Sequence, residues 1–105
     1  MKFLALEREV AGVTEAQYAS HLAAEAARAW ELYQQGVIRE LYFRSDRDEA
    51  VLILECSDDS AARAALDSLP LVRQGLIAFE LIPLAPYPGF ARLFAPGGPG
   101  SERGE

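Results

Sequence analysis

The chain is poor in the residues that build cross-links and metal centres: it has one cysteine, Cys56, and one histidine, His21, in 105 residues. A single thiol cannot close an intrachain disulfide, and one Cys with one His does not complete a zinc ligand set. Cations are also scarce. Ten Lys+Arg stand against sixteen Asp+Glu, a formal net charge of −6, which excludes a general phosphate-backbone binder and leaves no nucleic-acid partner to expect. Apolar runs are short, and none reaches the length of a membrane span. In the opening MKFLALEREV the run Phe3–Leu6 is interrupted by Glu7 and Arg8, so no signal peptide is expected, and the expected location is the cytoplasm. Phosphate loops, nucleophile elbows, metal-ligand spacings and solenoid repeats are absent too. No cofactor and no metal are expected.

What remains is an ordinary globular composition, half hydrophobic and one quarter charged, and a length suited to one core. Residues 95–105, APGGPGSERGE, are rich in Pro and Gly and read as a flexible tail behind a single domain over 1–94.

The pattern predicts a first strand over 2–8. A helix is then expected from Thr14 to about Gln35, opened by a Thr14–Gln17 capping box with a Val13–Tyr18 staple and closed by Gly36. Its expected core stripe is Tyr18, Leu22, Ala26, Ala29 and Tyr33. Strands follow at 37–44 and 50–56, joined by a short polar turn. A second helix is expected to be capped by Ser57 and ended by Pro70, with Ala62, Ala65, Leu66 and Leu69 inward. The last strand is expected at 76–84. The order βαββαβ is the α+β, ferredoxin-like arrangement: a four-stranded antiparallel sheet with two helices on one face.

Alternation places Ile77, Phe79 and Leu81, with Ala50, Leu52, Leu54 and Cys56, under the helices. The opposite rows (Leu76, Ala78, Glu80, Ile82; Val51, Ile53, Glu55) are largely apolar and would be exposed in a monomer. A homodimer packed sheet on sheet is therefore expected, burying about 800 Å² per partner. Segment 85–94 is expected to close over the edge with Tyr87, Phe90, Leu93 and Phe94. Glu80 and Glu55 are expected at edge positions in solvent; if they are buried instead, Arg44 or Arg8 of a partner subunit would answer them.

His21, Glu25, Arg28 and Leu32 recur at i, i+4, i+7 and i+11 on the first helix. A His and a carboxylate one turn apart can share a hydrogen bond. Parity puts Arg39 on the strand row facing the helices, within reach of Glu25 or of a substrate carboxylate. The functional reading is a small-molecule cleft between helix and sheet, lined by Glu25, His21, Arg39, Tyr42 and Trp30, with Arg28 beside them. Glu25 or His21 takes a proton next to a carbonyl and Arg39 steadies the enolate. The structural reading of the same residues is a solvated charge ladder with an Arg39–Glu25 ion pair.

The stretch from Glu25 to Pro86 resembles muconolactone isomerase, of the dimeric α/β-barrel superfamily. The likeness runs without a gap through EAARAWELYQQGVIRELYFR, LDSLPLV at 66–72 and FELIPLAP at 79–86. Shared residues are Glu25, Ala29, Leu32, Gly36, Arg39, Leu41, Ala61, Leu66, Leu69, Pro70, Leu71, Ile77 and Pro86, with Leu-Pro-Leu at 69–71 the most distinctive run. Where those isomerases have Arg-His-Leu-Trp-Arg, this chain has Arg39-Glu40-Leu41-Tyr42-Phe43. The resemblance implies a homodimeric barrel, assembled further into a ring in that family, and cofactor-independent proton transfer on a small unsaturated or cyclic acid. A non-catalytic binding or accessory dimer, or a cofactor-independent monooxygenase, is the alternative reading on the same fold.

Overall fold

The computed structural model describes residues 1–94; the segment expected to be a tail, 95–105, lies outside the described residues. The elements in chain order are β1 (Lys2–Glu9), α1 (Glu15–Ala19), α2 (Leu22–Gln34), β2 (Ile38–Phe43), β3 (Ala50–Glu55), α3 (Asp59–Asp67), α4 (Pro70–Arg73) and β4 (Ile77–Leu84), followed by a 3₁₀ turn at Gly89–Phe94. The strands form one antiparallel sheet in the order β2-β3-β1-β4. This is the ferredoxin-like arrangement of the sequence reading. Among the described residues no helix is long and apolar enough to cross a membrane.

The expected long helix is two. The Thr14 N–H donates to Gln17 Oε1 at 2.8 Å, as a capping box requires. Then Ser20 bonds back to the Gln17 carbonyl, the kind of local side-chain bond that competes with a continuing helix. His21 becomes the N-cap of α2. This break resets the helical phase. Leu22 and Tyr33 are about half exposed, while Leu32 is buried and Ala29 packs on the core. The stripe that meets the sheet is therefore the one through Glu25, Ala29 and Leu32. Gly36, at φ +79°, closes α2: its N–H donates to the Tyr33 carbonyl and that of Val37 to Leu32.

Leu52, Leu54, Ile77 and Phe79 lie under the helices with Phe3 and Ala5, as alternation demands. Leu76 departs from its expected row. It precedes β4, is buried, and its N–H caps the Leu71 carbonyl. The cap of α3 is Asp58, not Ser57: its carboxylate accepts from the Ala61 N–H at 2.8 Å. Pro70 starts α4 at its first turn, where a missing N–H costs nothing. The acids of the open sheet face are answered within the chain, Glu80 by Arg8 and Glu55 by Lys2 and the N-terminal amine. No partner charge is needed for them.

Candidate functional site

Where β1 ends, α1, the start of α2 and the β2–β3 turn surround a cavity of about 780 Å³. Tyr18, Leu22, Phe43, Leu71 and Ile77 give it apolar walls. Its polar lining is five carboxylates (Glu7, Glu9, Glu15, Asp48, Glu49) and one guanidinium, Arg47.

Glu7 shares the inward row of β1 with Phe3 and Ala5, so its carboxylate is carried under the helices. One oxygen accepts from the Ala50 N–H at 2.8 Å. Burial raises its carboxyl above the ordinary 4.5; the Ala50 bond opposes this, and the nearby charges of Glu49, Glu25 and Glu9 add to it. Glu25 is raised for the same main reason, loss of water, offset by the bond it accepts from the Leu71 N–H at 2.8 Å. That N–H belongs to the first turn of α4, which has no internal partner for it. Glu25 thus fastens α2 to the Leu71 wall of the cavity.

Glu49 is nine-tenths buried, with 9% of its side chain exposed. Its Oε1 is enclosed and accepts no hydrogen bond. The Arg44 and Arg47 guanidiniums approach it to 3.7 and 3.6 Å, ion-pair but not hydrogen-bond distances. Arg44 spends its donors on Asp46, in a two-pronged contact at 2.9 and 2.7 Å. A carboxyl raised above its usual range by loss of water is a better base than an ordinary exposed one, and so better suited to moving a proton to and from carbon. Among the described residues no three His, Cys, Asp or Glu side chains converge as a metal site.

The expected site residues do not converge on one place. Glu25 borders this cavity through Leu71. His21 caps α2 and its backbone carbonyl accepts from the Glu25 N–H, with no bond between the two side chains. Arg28 turns to the other side, donating to Ser68 Oγ and Glu31. Trp30, Arg39 and Tyr42 line a different groove of about 610 Å³ between α2 and the β2 edge. There Trp30 stacks on Tyr33 at 5.6 Å and the Tyr42 hydroxyl donates to Glu40. Arg39 does not reach Glu25. Ile38 pairs with Leu54 and Glu40 with Ile53, so Arg39 is the extra residue of a β-bulge. Simple alternation fails there, and the side chain folds back to the Gly36 carbonyl at 2.7 Å. Glu7 was missed, although its signal was present: it follows Phe3 and Ala5 on the inward row of β1. Glu49 sits in a polar turn and carries no such signal.

The family model for muconolactone delta-isomerase matches residues 2–89. Two solved structures share the fold. A crystal structure of muconolactone isomerase superposes with a TM-score of 0.69 at 20% identity, covering 84% of this chain and 92% of that one. The 5-chloro-2-hydroxyhydroquinone dehydrochlorinase of Burkholderia phenoliruptrix AC1100, in complex with 2,5-dihydroxybenzoquinone, gives 0.62 at 19% identity, covering 81% and 94%. No curated protein sequence matches. With most of its described length matched by one family model, the chain belongs to the muconolactone delta-isomerase family.

Proposed function

We propose that the chain is a cofactor-independent catalyst of proton transfer, isomerising a small cyclic carbonyl compound in the cavity at the end of β1. The observation that carries this is Glu7, a carboxyl raised by burial, lining the cavity and steadied by one backbone N–H. Its carboxylate takes a proton from the carbon beside the carbonyl, and the electron pair of that C–H bond passes into an enolate. The protonated Glu7 then returns the proton to another carbon of the conjugated system, so no oxidant or reductant is consumed. Glu25 serves as a positioning residue, holding the Leu71 wall. His21, Arg28, Arg39, Trp30 and Tyr42 take no step in this scheme. Family membership supports isomerase chemistry. The test is proton exchange at ring carbons of small cyclic enones in D₂O, followed by NMR. Wild type should accelerate exchange, and Glu7→Gln, with the Ala50 bond kept, should lose ~100-fold or more. Equal exchange by the two proteins would remove Glu7 from the chemistry.

The working unit in this proposal is a homodimer. Leu4, Leu6, Val51, Ile53 and Ile82 of the open sheet face are only half-buried. After β4, Tyr87, Phe90, Leu93 and Phe94 stay between 51% and 84% exposed, so this segment does not bury them against its own sheet. Together they form the apolar surface that a second copy would hide.

A further inference from the structure

The proton-transfer scheme leaves one end of the reaction unserved. As Glu7 takes a proton, negative charge gathers on the carbonyl oxygen of the substrate, and carboxylates line the same cavity. In surroundings that screen charge less than water they oppose an enolate, so a donor aimed at that oxygen is needed to offset them. Apart from the carboxyls themselves, two of the lining side chains can donate a hydrogen bond, Arg47 and Tyr18. The Arg47 side chain is 59% exposed and stands 3.6 Å from Glu49 Oε1. It is paired with a buried acid and screened by solvent, which suits it poorly to steadying a charge that comes and goes. Tyr18 differs on both counts. Its ring packs on the core. Its hydroxyl donates only to the Leu76 carbonyl, at 3.4 Å, beyond the about 3.0 Å limit usual for O–H···O. The hydroxyl is thus fixed in the wall but weakly paired, and its proton can turn to a better acceptor. The two groups also flank β1. Ala50, which begins β3, draws Glu7 to one side, and Leu76, just before β4, holds the Tyr18 hydroxyl on the other. In the sheet β1 lies between β3 and β4, and two strand spacings are about 10 Å. A six-membered ring over the end of β1 has room between the two.

We propose that Tyr18 is the electrophile of this reaction, its hydroxyl donating to the carbonyl oxygen of the ring whose C–H bond Glu7 breaks. This rests on the proposed function, since it takes the substrate and the cavity from there. Tyr18 keeps its proton throughout. The hydrogen bond strengthens as the C–H electron pair moves onto the oxygen, and it relaxes when the protonated Glu7 returns its proton to carbon and the carbonyl re-forms. Nothing else is consumed.

The test reads the carbonyl without turnover. Cyclohexenone carrying an isotope label at its carbonyl is bound to Glu7→Gln and to Glu7→Gln/Tyr18→Phe, and its C=O stretch is followed by infrared difference spectroscopy. The Phe variant keeps the ring that packs on the core and loses one long contact, so it should fold, with circular dichroism as the check. The stretch should lie at lower frequency in Glu7→Gln than in the double variant, a signature that a merely structural Tyr18 would not produce. With Glu7 in place, Tyr18→Phe should slow exchange in D₂O by ~100-fold or more, the usual loss of one donor to a developing oxyanion, with the fall in kcat and little change in KM. The proposal is overturned if the stretch is the same in both proteins, if Arg47→Gln moves it and Tyr18→Phe does not, if no enone binds, or if Tyr18→Phe exchanges as fast as wild type. Loss of exchange in Glu7→Gln with no difference in stretch would keep the base and discard the electrophile. Exchange as fast in Glu7→Gln as in wild type, with the difference in stretch intact, would discard the base and keep Tyr18 as the group that grips the carbonyl.

Discussion

Glu25 and Glu7 are carboxylates that do structural work through a single accepted N–H bond each, to Leu71 and Ala50. For Glu25 this separates charge from hydrogen bonding. Glu25→Gln keeps an acceptor for Leu71 and removes the cost of desolvating a charge. It should therefore be neutral or slightly stabilising at pH 7. Glu25→Ala orphans a partly buried N–H at the first turn of α4 and should cost about 1–3 kcal/mol. Urea unfolding of the pair checks this, and a Gln variant as unstable as the Ala variant would contradict it. That Glu25 matters was legible in its helical spacing with Leu32. Its partner was not, because Leu71 lies 46 positions away and no local pattern records a cap supplied by another helix. Arg39 shows the opposite case. Its position in the sequence is plain, but a single inserted residue in β2 cancels the parity argument that aimed it at Glu25.

At the level of elements, the caps carry much of the design. Asp58→Ala should lower stability by about 1 kcal/mol, the usual worth of an N-cap, whereas Ser57→Ala should change little because Ser57 caps nothing here. Gly36→Ala should cost about 1 kcal/mol or more. The nearest atoms to an added Cβ are those of Arg39, at 3.8 Å and beyond, so the cost is that of φ +79° and not of crowding. Thermal melts of the three variants test both statements. The strands, the α3 face and the order of elements were legible because alternation and helical spacing are local. The break between α1 and α2 was not, since Ala-rich helix propensity continues through it and only the Ser20 back-bond marks it. The cavity was half legible: Glu7 follows two apolar residues on its row, while nothing local marks Glu49, whose buried oxygen is approached by Arg44 and Arg47 only once the β2–β3 turn has folded.

At the level of the whole molecule, two sets of acids oppose each other on titration. Glu7 and Glu25 have folded values above their ordinary 4.5. The folded state holds those protons more tightly than the unfolded chain, so their contribution is complete below 4.5 and is lost as pH rises through the folded values. Glu55, held low by the N-terminal amine and Lys2, and Asp46, held low by Arg44, behave oppositely; their contribution fades as pH falls below 4.5 and 3.8. Tm should therefore rise on mild acidification from pH 7 and turn over in strong acid. The rise should shrink in a Glu7→Gln, Glu25→Gln double variant. A wild-type profile with no rise anywhere between pH 7 and 4.5 would contradict this. Sedimentation velocity tests the dimer: wild type should run as two chains or more, and Phe90→Glu, which puts a charge on the exposed arm, should shift it toward one.

The bulge at Arg39 has a consequence beyond re-aiming one side chain. β2 and β4 are the two margins of the sheet, and each is spoiled as a template for foreign strands. The extra residue at Arg39 bends one margin out of register, and Pro83 on the other has no N–H to offer. The open sheet face can then stay apolar, as the proposed dimer requires, while the flanks resist growing into fibrils.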